Sequence, residues 1–153
     1  MKRSAIVKLL IGTILILSCS RGFSDSAADS SSIPSWIVGS WKLIGFIYHN
    51  EFKPPLNPNL ELFFIYRDDG TDTLYWSRIG ESGFCERQGR FSITGNYIND
   101  ENIWTNPKNN IDCGQDPDMQ VGRKTCTAIS YVEGSLRLNL GLAGEDFFYV
   151  FRK

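Results

Sequence analysis

The sequence predicts an all-β protein, a single antiparallel up-and-down barrel of eight strands, with a β-sandwich as the alternative. Three observations predict it. From residue 40 onward, apolar and β-branched runs alternate with Gly, Asn, Asp and Pro turn signals, and no stretch carries the periodicity of an amphipathic helix. Two of the turns, Asp69-Gly70 and Glu133-Gly134, are short hairpin signals. A Gly39-Ser40-Trp41 triplet opens the first strand, and the aromatic run Phe147–Phe151 closes the last. Eight strands close a barrel just wide enough for its own side chains or one small ligand.

In a chain of 153 residues, one domain is expected. Its first residues stand apart. Met1-Lys2-Arg3 is a charged start, and Ala5 to Leu17 is an apolar run, interrupted by Lys8, that is too short for a comfortable span. Ile16-Leu17-Ser18-Cys19 follows, and the whole resembles a bacterial lipoprotein signal over residues 1–18. That resemblance implies a lipidated Cys19, with palmitate among its acyl chains, and anchoring in the cell envelope without a transmembrane segment. Ser20, where an Asp would retain the protein at the inner membrane, points to the outer membrane. Removing Lys2, Arg3 and Lys8 with no acid takes the formal charge from −1 to −4. No Lys/Arg run survives, which argues against nucleic acid and anionic lipid as partners.

Residues 19–35 read as the lipidated Cys and a flexible tether, because Ser20 to Ser32 is Ser-, Asp- and Ala-rich and almost free of apolar side chains. The barrel domain then spans 36–153. Ser35 is suited to cap a single turn that sets Trp36, Ile37 and Val38 as a plug for the barrel floor. Strands are expected at 40–48, 60–67, 71–79, 84–94, 97–105, 121–132, 135–141 and 145–152. Gly45 allows a bend in the first of them. The two long connections, 49–59 and 106–120, both fall at the mouth, the end opposite Trp41.

Hairpin register assigns the faces. A two-residue turn at Asp69-Gly70 sets Tyr66 opposite Thr73 and Phe64 opposite Tyr75. Leu60, Leu62, Phe64, Tyr66, Tyr75 and Ile79 then point inward, and Glu61, Arg67, Asp72 and Arg78 outward. Phe63, Ile65, Leu74 and Trp76 share that outer face and form an apolar patch suited to a protein partner or to cover by a loop. Across Glu133-Gly134, Tyr131 faces Leu136 and Ile129 faces Leu138. Leu136, Leu138, Leu140, Phe147, Tyr149 and Phe151 then line one inner face.

Little in the sequence supports catalysis. The one His, His49, stands in a Pro-rich loop with no second His for a zinc site or proton relay. No phosphate loop, nucleophile elbow or metalloprotease motif is present. The expectation is a non-enzyme with no cofactor and no metal. With Cys19 lipidated, Cys85, Cys113 and Cys126 remain in an oxidising setting. Register turns Cys85 inward and Cys126 outward, so the predicted disulfide is Cys113–Cys126, with the 106–120 loop folded over the outer wall. Cys85–Cys113 is the alternative, since one bulge reverses the assignment.

The Gly-x-Trp triplet, the strand count and the terminal Arg together resemble the lipocalin and wider calycin barrels, over roughly Ile37 to Arg152, and fit the compact bacterial lipocalin-like domains best. The resemblance implies that Trp41 packs at the barrel floor beside Gly39 and that Arg152 lies across its ring. Arg152 is out of phase with the inner face, so this pairing requires the chain end to curl beneath the floor or to follow a bulge. It also implies a small apolar or amphipathic ligand held among Phe64, Tyr66, Tyr75, Tyr131, Leu138 and Tyr149. The alternative is a filled barrel acting as a non-catalytic interaction module at the envelope or cell surface.

Overall fold

A computed structural model describes residues 33–153, and the leader, Cys19 and the segment 20–32 lie outside the described residues. Nine strands run antiparallel: β1 (Gly39–Tyr48), β2 (Glu51–Lys53), β3 (Leu60–Tyr66), β4 (Thr71–Arg78), β5 (Phe84–Thr94), β6 (Tyr97–Thr105), β7 (Lys124–Val132), β8 (Ser135–Asn139) and β9 (Phe147–Arg152). From β3 onward each strand pairs with the next in sequence, β1 pairs with β3, and β9 pairs back with β1. Eight strands therefore close the predicted barrel. The ninth, β2, is a flap that the sequence left inside a long loop. It forms because His49 and Asn50 both adopt positive φ, 51° and 63°, the geometry of a two-residue hairpin turn.

The flap changes the wall. β3 pairs only with the first part of β1, Gly39 to Lys42, whereas β2 takes the same edge at Phe46 to Tyr48. Between them β1 bulges at Leu43/Gly45 against β9. Gly45 is required here, because a Cβ would stand 2.6 Å from the Phe52 ring. The bend expected at Gly45 is thus also a close crossing of two strands.

The floor is as expected in outline and different in detail. Ile37 is fully buried, and its carbonyl accepts a 2.6 Å hydrogen bond from Trp41 Nε1. Trp36 stacks on Tyr131 at 5.5 Å between ring centroids. The cation over Trp41 is Lys153, with Nζ 4.8 Å from the ring centroid, and the same Nζ donates to the Trp36 carbonyl at 3.0 Å. Arg152 does not take that place. It is exposed, and its Nε donates to Ser135 Oγ at 3.2 Å. The reason is the pleat: Phe151 is the inward residue of β9, so Arg152 must point out, and the next residue reaches under the floor.

Faces on β7, β8 and β9 follow the predicted register, with Tyr131 opposite Leu136 and Leu136 opposite Phe151. On β4 they are inverted. Tyr66 faces Asp72 and Phe64 faces Leu74, one residue away from the expected pairing. The turn holds three residues, 68–70, closed by Arg67 N–H to the Thr71 carbonyl at 2.9 Å, with Gly70 at φ 79°. A type I turn followed by a left-handed Gly has this form, and a one-residue slip turns every β4 side chain over. Asp72, Leu74 and Trp76 therefore point inward and Tyr75 outward, stacked on Phe84 at 5.7 Å. The expected outer patch of Phe63, Ile65, Leu74 and Trp76 is not assembled, because two of its members belong to the interior.

Candidate functional site

The barrel interior has three levels. Trp41, Leu136 and Phe151 fill the floor, all essentially inaccessible. Above them Phe64 stacks on Tyr66 at 5.4 Å and meets Phe151 at 5.7 Å, and Leu138 and Tyr149 join the same core. Of the six predicted pocket residues, these four come together. Tyr75 lies on the outer wall, and Tyr131 lies half-exposed at the floor beside Trp36 and Trp41.

The second level is polar, and the sequence reading missed it. Arg87 on β5 reaches Asp72 on β4, Nη1 to Oδ2 at 2.9 Å, and its Nη2 donates to Asp100 Oδ2 on β6. Asp72 is wholly buried and Arg87 and Asn102 nearly so. Gly89 makes room for them: its missing Cβ would collide with both carboxylates and with the guanidinium. Asp72 has its pKa raised to about 7, first by burial, with Arg87 opposing and Asp100 adding to the rise. Tyr66 is held well above its ordinary pKa, chiefly by burial and then by the Asp72 and Asp100 charges. Asp72 Oδ1, Asp100 Oδ1, Arg87 Nε and Asn102 Nδ2 accept or donate no hydrogen bond among the described residues. A signal was present in the sequence. Arg87 is in phase with inward Cys85 and Phe91, and an inward Arg requires a carboxylate.

The third level is a lid. The connection 106–120 forms two short 3-10 turns, η1 (Ile111–Gln115) and η2 (Pro117–Met119). β5 outruns β6 at the mouth, since their pairing begins at Arg87, and this leaves Phe84 to Glu86, paired with β4 on one edge, without a strand partner on the other. Asparagines supply the missing partners. Asn106 N and Asn110 N donate to the Glu86 and Phe84 carbonyls at 3.0 and 2.9 Å, and the Asn109 amide brackets the Glu86 backbone at 2.7 and 2.9 Å. This lacing carries Cys113 over Cys85, and the disulfide is Cys85–Cys113, with 5.7 Å between the Cα atoms. The predicted Cys113–Cys126 bond is incorrect. Cys85 does point inward as expected, but the loop dips into the mouth rather than lying over the wall. Cys126 is half-buried on β7 and takes no part in that bond. Beneath the lid Met119 and Cys113 pack on Leu74, with Leu62, Phe64 and Trp76 around them.

The wall also has an opening at its side. Where β1 parts from β3, a cleft of about 230 Å³ lies between the barrel and the 55–57 loop. Leu43, Phe46, Leu60, Phe147 and Tyr149 give it an apolar wall, and Asn57 is the one polar amide at its edge. A shallower hollow of about 300 Å³ on the outer rim holds the His49–Glu145 pair, Nε2 to Oε2 at 2.8 Å. His49 and Tyr48 hold Glu145 below its ordinary pKa. Both residues are exposed, and no cluster of three or more metal-ligating side chains forms among the described residues.

No protein-family model and no curated protein matches the chain. Among solved structures, a lipocalin-like protein from Bacteroides uniformis ATCC 8492 superposes with a TM-score of 0.52. It is 20% identical, and the match covers 77% of this chain and 98% of that one. The likeness is one of fold: this chain has a lipocalin-like barrel.

Proposed function

We propose that the protein is a non-catalytic binding protein that holds a small apolar or amphipathic ligand in the cleft between β1 and β3. The observation that carries this reading is the cleft itself: an apolar hollow at the mouth of a barrel whose floor and centre are filled. Its volume, that of roughly eight water molecules, is below that of typical drug-sized pockets. A short chain or a single ring fits, and a long lipid would leave its tail outside. Heating the purified protein with and without octanol tests the reading. A ligand that binds only the folded state raises the melting temperature as its concentration passes Kd. No shift at any soluble octanol concentration overturns it.

Cys19 is proposed as a lipid anchor in the outer membrane, with the tether joining the barrel at its floor and the cleft at the far end. Support comes from the signal-like start and the Ser-rich segment after it. Labelled palmitate should enter the protein and be lost with Cys19→Ser. The filled interior favours a second reading, a non-catalytic interaction module working through the mouth loops, on which Leu56, Ile79, Ile111 and Val121 stand exposed.

A further inference from the structure

We infer that Leu56 completes the ligand site, turning in from the strap 54–56 to close the cleft over a bound apolar chain. The inference rests on the proposed ligand-binding reading and adds the residue that retains the ligand.

The strap exists because β2 stops early. Its last residue, Lys53, pairs with Phe46, and the next two residues are Pro54 and Pro55. A proline has no N–H to give a sheet edge, so β2 cannot continue along β1. β1 in turn pairs with β3 only as far as Lys42 and Phe63, which leaves Leu60 to Leu62 without a β1 partner. The cleft lies in that gap. Beyond the strap the chain is anchored again at Asn57. Its carbonyl accepts from Leu60 N at 3.1 Å, and its Oδ1 accepts from Asn59 N at 2.9 Å. The Asn59 carbonyl accepts from Ile79 N, also at 2.9 Å. Between these anchors Pro54, Pro55 and Leu56 make no hydrogen bond among the described residues.

An exposed leucine alone says little. Of the exposed large apolar side chains among the described residues, however, Leu56 is the one that lines the cleft, and at 91% it is the most open of them. The same lining carries Phe46, Leu60 and Phe147, so an apolar chain laid in the cleft offers Leu56 a surface on which to leave water. Only three residues lie between fixed ends, so closing orders little chain. No charged side chain lines the cleft, and closing over a neutral chain strands no charge there. Burying a Leu side chain is worth a factor of about ten or more in affinity, and a polar residue at position 56 forfeits it.

The test is isothermal titration of the purified protein with octanol, wild type against Leu56→Ser and Leu56→Met. Leu56→Ser should weaken octanol binding about tenfold, and Leu56→Met should restore most of it. The melting temperature without octanol should match the wild type in both, because Leu56 is exposed in the free protein. Closure itself is read from the Leu56 methyl signals in NMR spectra with a soluble paramagnetic agent, broadened in the free protein and protected at octanol saturation. Equal octanol affinity in wild type and Leu56→Ser, Leu56→Met no better than Leu56→Ser, or methyls still broadened at saturation each overturns the inference and leaves the cleft reading standing. A melting temperature already lowered in Leu56→Ser without octanol also overturns it, since Leu56 would then be packed before any ligand arrives. No octanol binding to the wild type overturns both readings.

Discussion

Replacing Arg87 by Met should cost about 3–5 kcal/mol at pH 8, the range for breaking a buried ion pair from one side. The size follows from the interior of the barrel. Arg87 and Asp72 stand 2.9 Å apart with side chains 6% and 0% exposed. At an effective dielectric of 20 that distance gives a gross attraction of roughly 6 kcal/mol. Desolvation of the guanidinium offsets much of this in the wild type, but in the variant nothing offsets the desolvation of the carboxyl groups left behind. Met fills nearly the same space, so little of the loss comes from a cavity. The assay is urea unfolding followed by tryptophan fluorescence at pH 4, 6 and 8. The variant should keep a proton on Asp72 to higher pH than the wild type, because the guanidinium that favours the ionised form is gone. Its penalty therefore grows with pH, by up to ~1.4 kcal/mol per unit for each proton retained. An unchanged midpoint at pH 8, or a penalty that is the same at pH 4, would refute a buried charged cluster.

Three further outcomes are expected. In the wild type, Asp72 has a folded pKa raised to about 7 from 3.8 unfolded. The fold thus holds a proton that the unfolded chain has released, and stability falls as pH rises from about 4 to 7; a urea midpoint that rises over that window contradicts the assignment. Reducing the Cys85–Cys113 bond, whose cysteines lie 28 positions apart, should remove roughly 3.5 kcal/mol by chain entropy and release the lid. The release would appear as faster amide exchange at 106–120, and unchanged exchange there would count against the clamp. Trp41→Ala should cost about 3–5 kcal/mol, and in double-mutant cycles it should couple to Lys153→Ala and not to Arg152→Ala.

Strand positions were legible because each follows from local chemistry. Glu133-Gly134 dictates its hairpin, with φ of 50° and 75°, and the faces of β7, β8 and β9 follow from it. Asp69-Gly70 is as clear a turn signal, but Gly70 closes a three-residue loop there. The difference of one residue moved Asp72 and Leu74 from the wall to the core. The β2 flap was hidden because His49 and Asn50 adopt a conformation usually left to Asn-Gly or Gly-Gly. The lid was illegible for another reason. Asn106, Asn109 and Asn110 look like loop composition, and only the overhang of β5 past β6 makes them strand partners. Of the nine residues that line the candidate site, Leu60, Phe147 and Tyr149 were legible from strand alternation. Leu43, Phe46 and the 55–57 loop enter it only because β1 and β3 part company.

The most direct test of a ligand site in that gap is a two-dimensional NMR titration of the protein with octanol. Shift changes should concentrate at Leu43, Phe46, Leu60, Phe147 and Tyr149 and saturate together with a single Kd. Changes confined to the outer rim around His49 and Glu145, or none up to the solubility limit, would contradict the account.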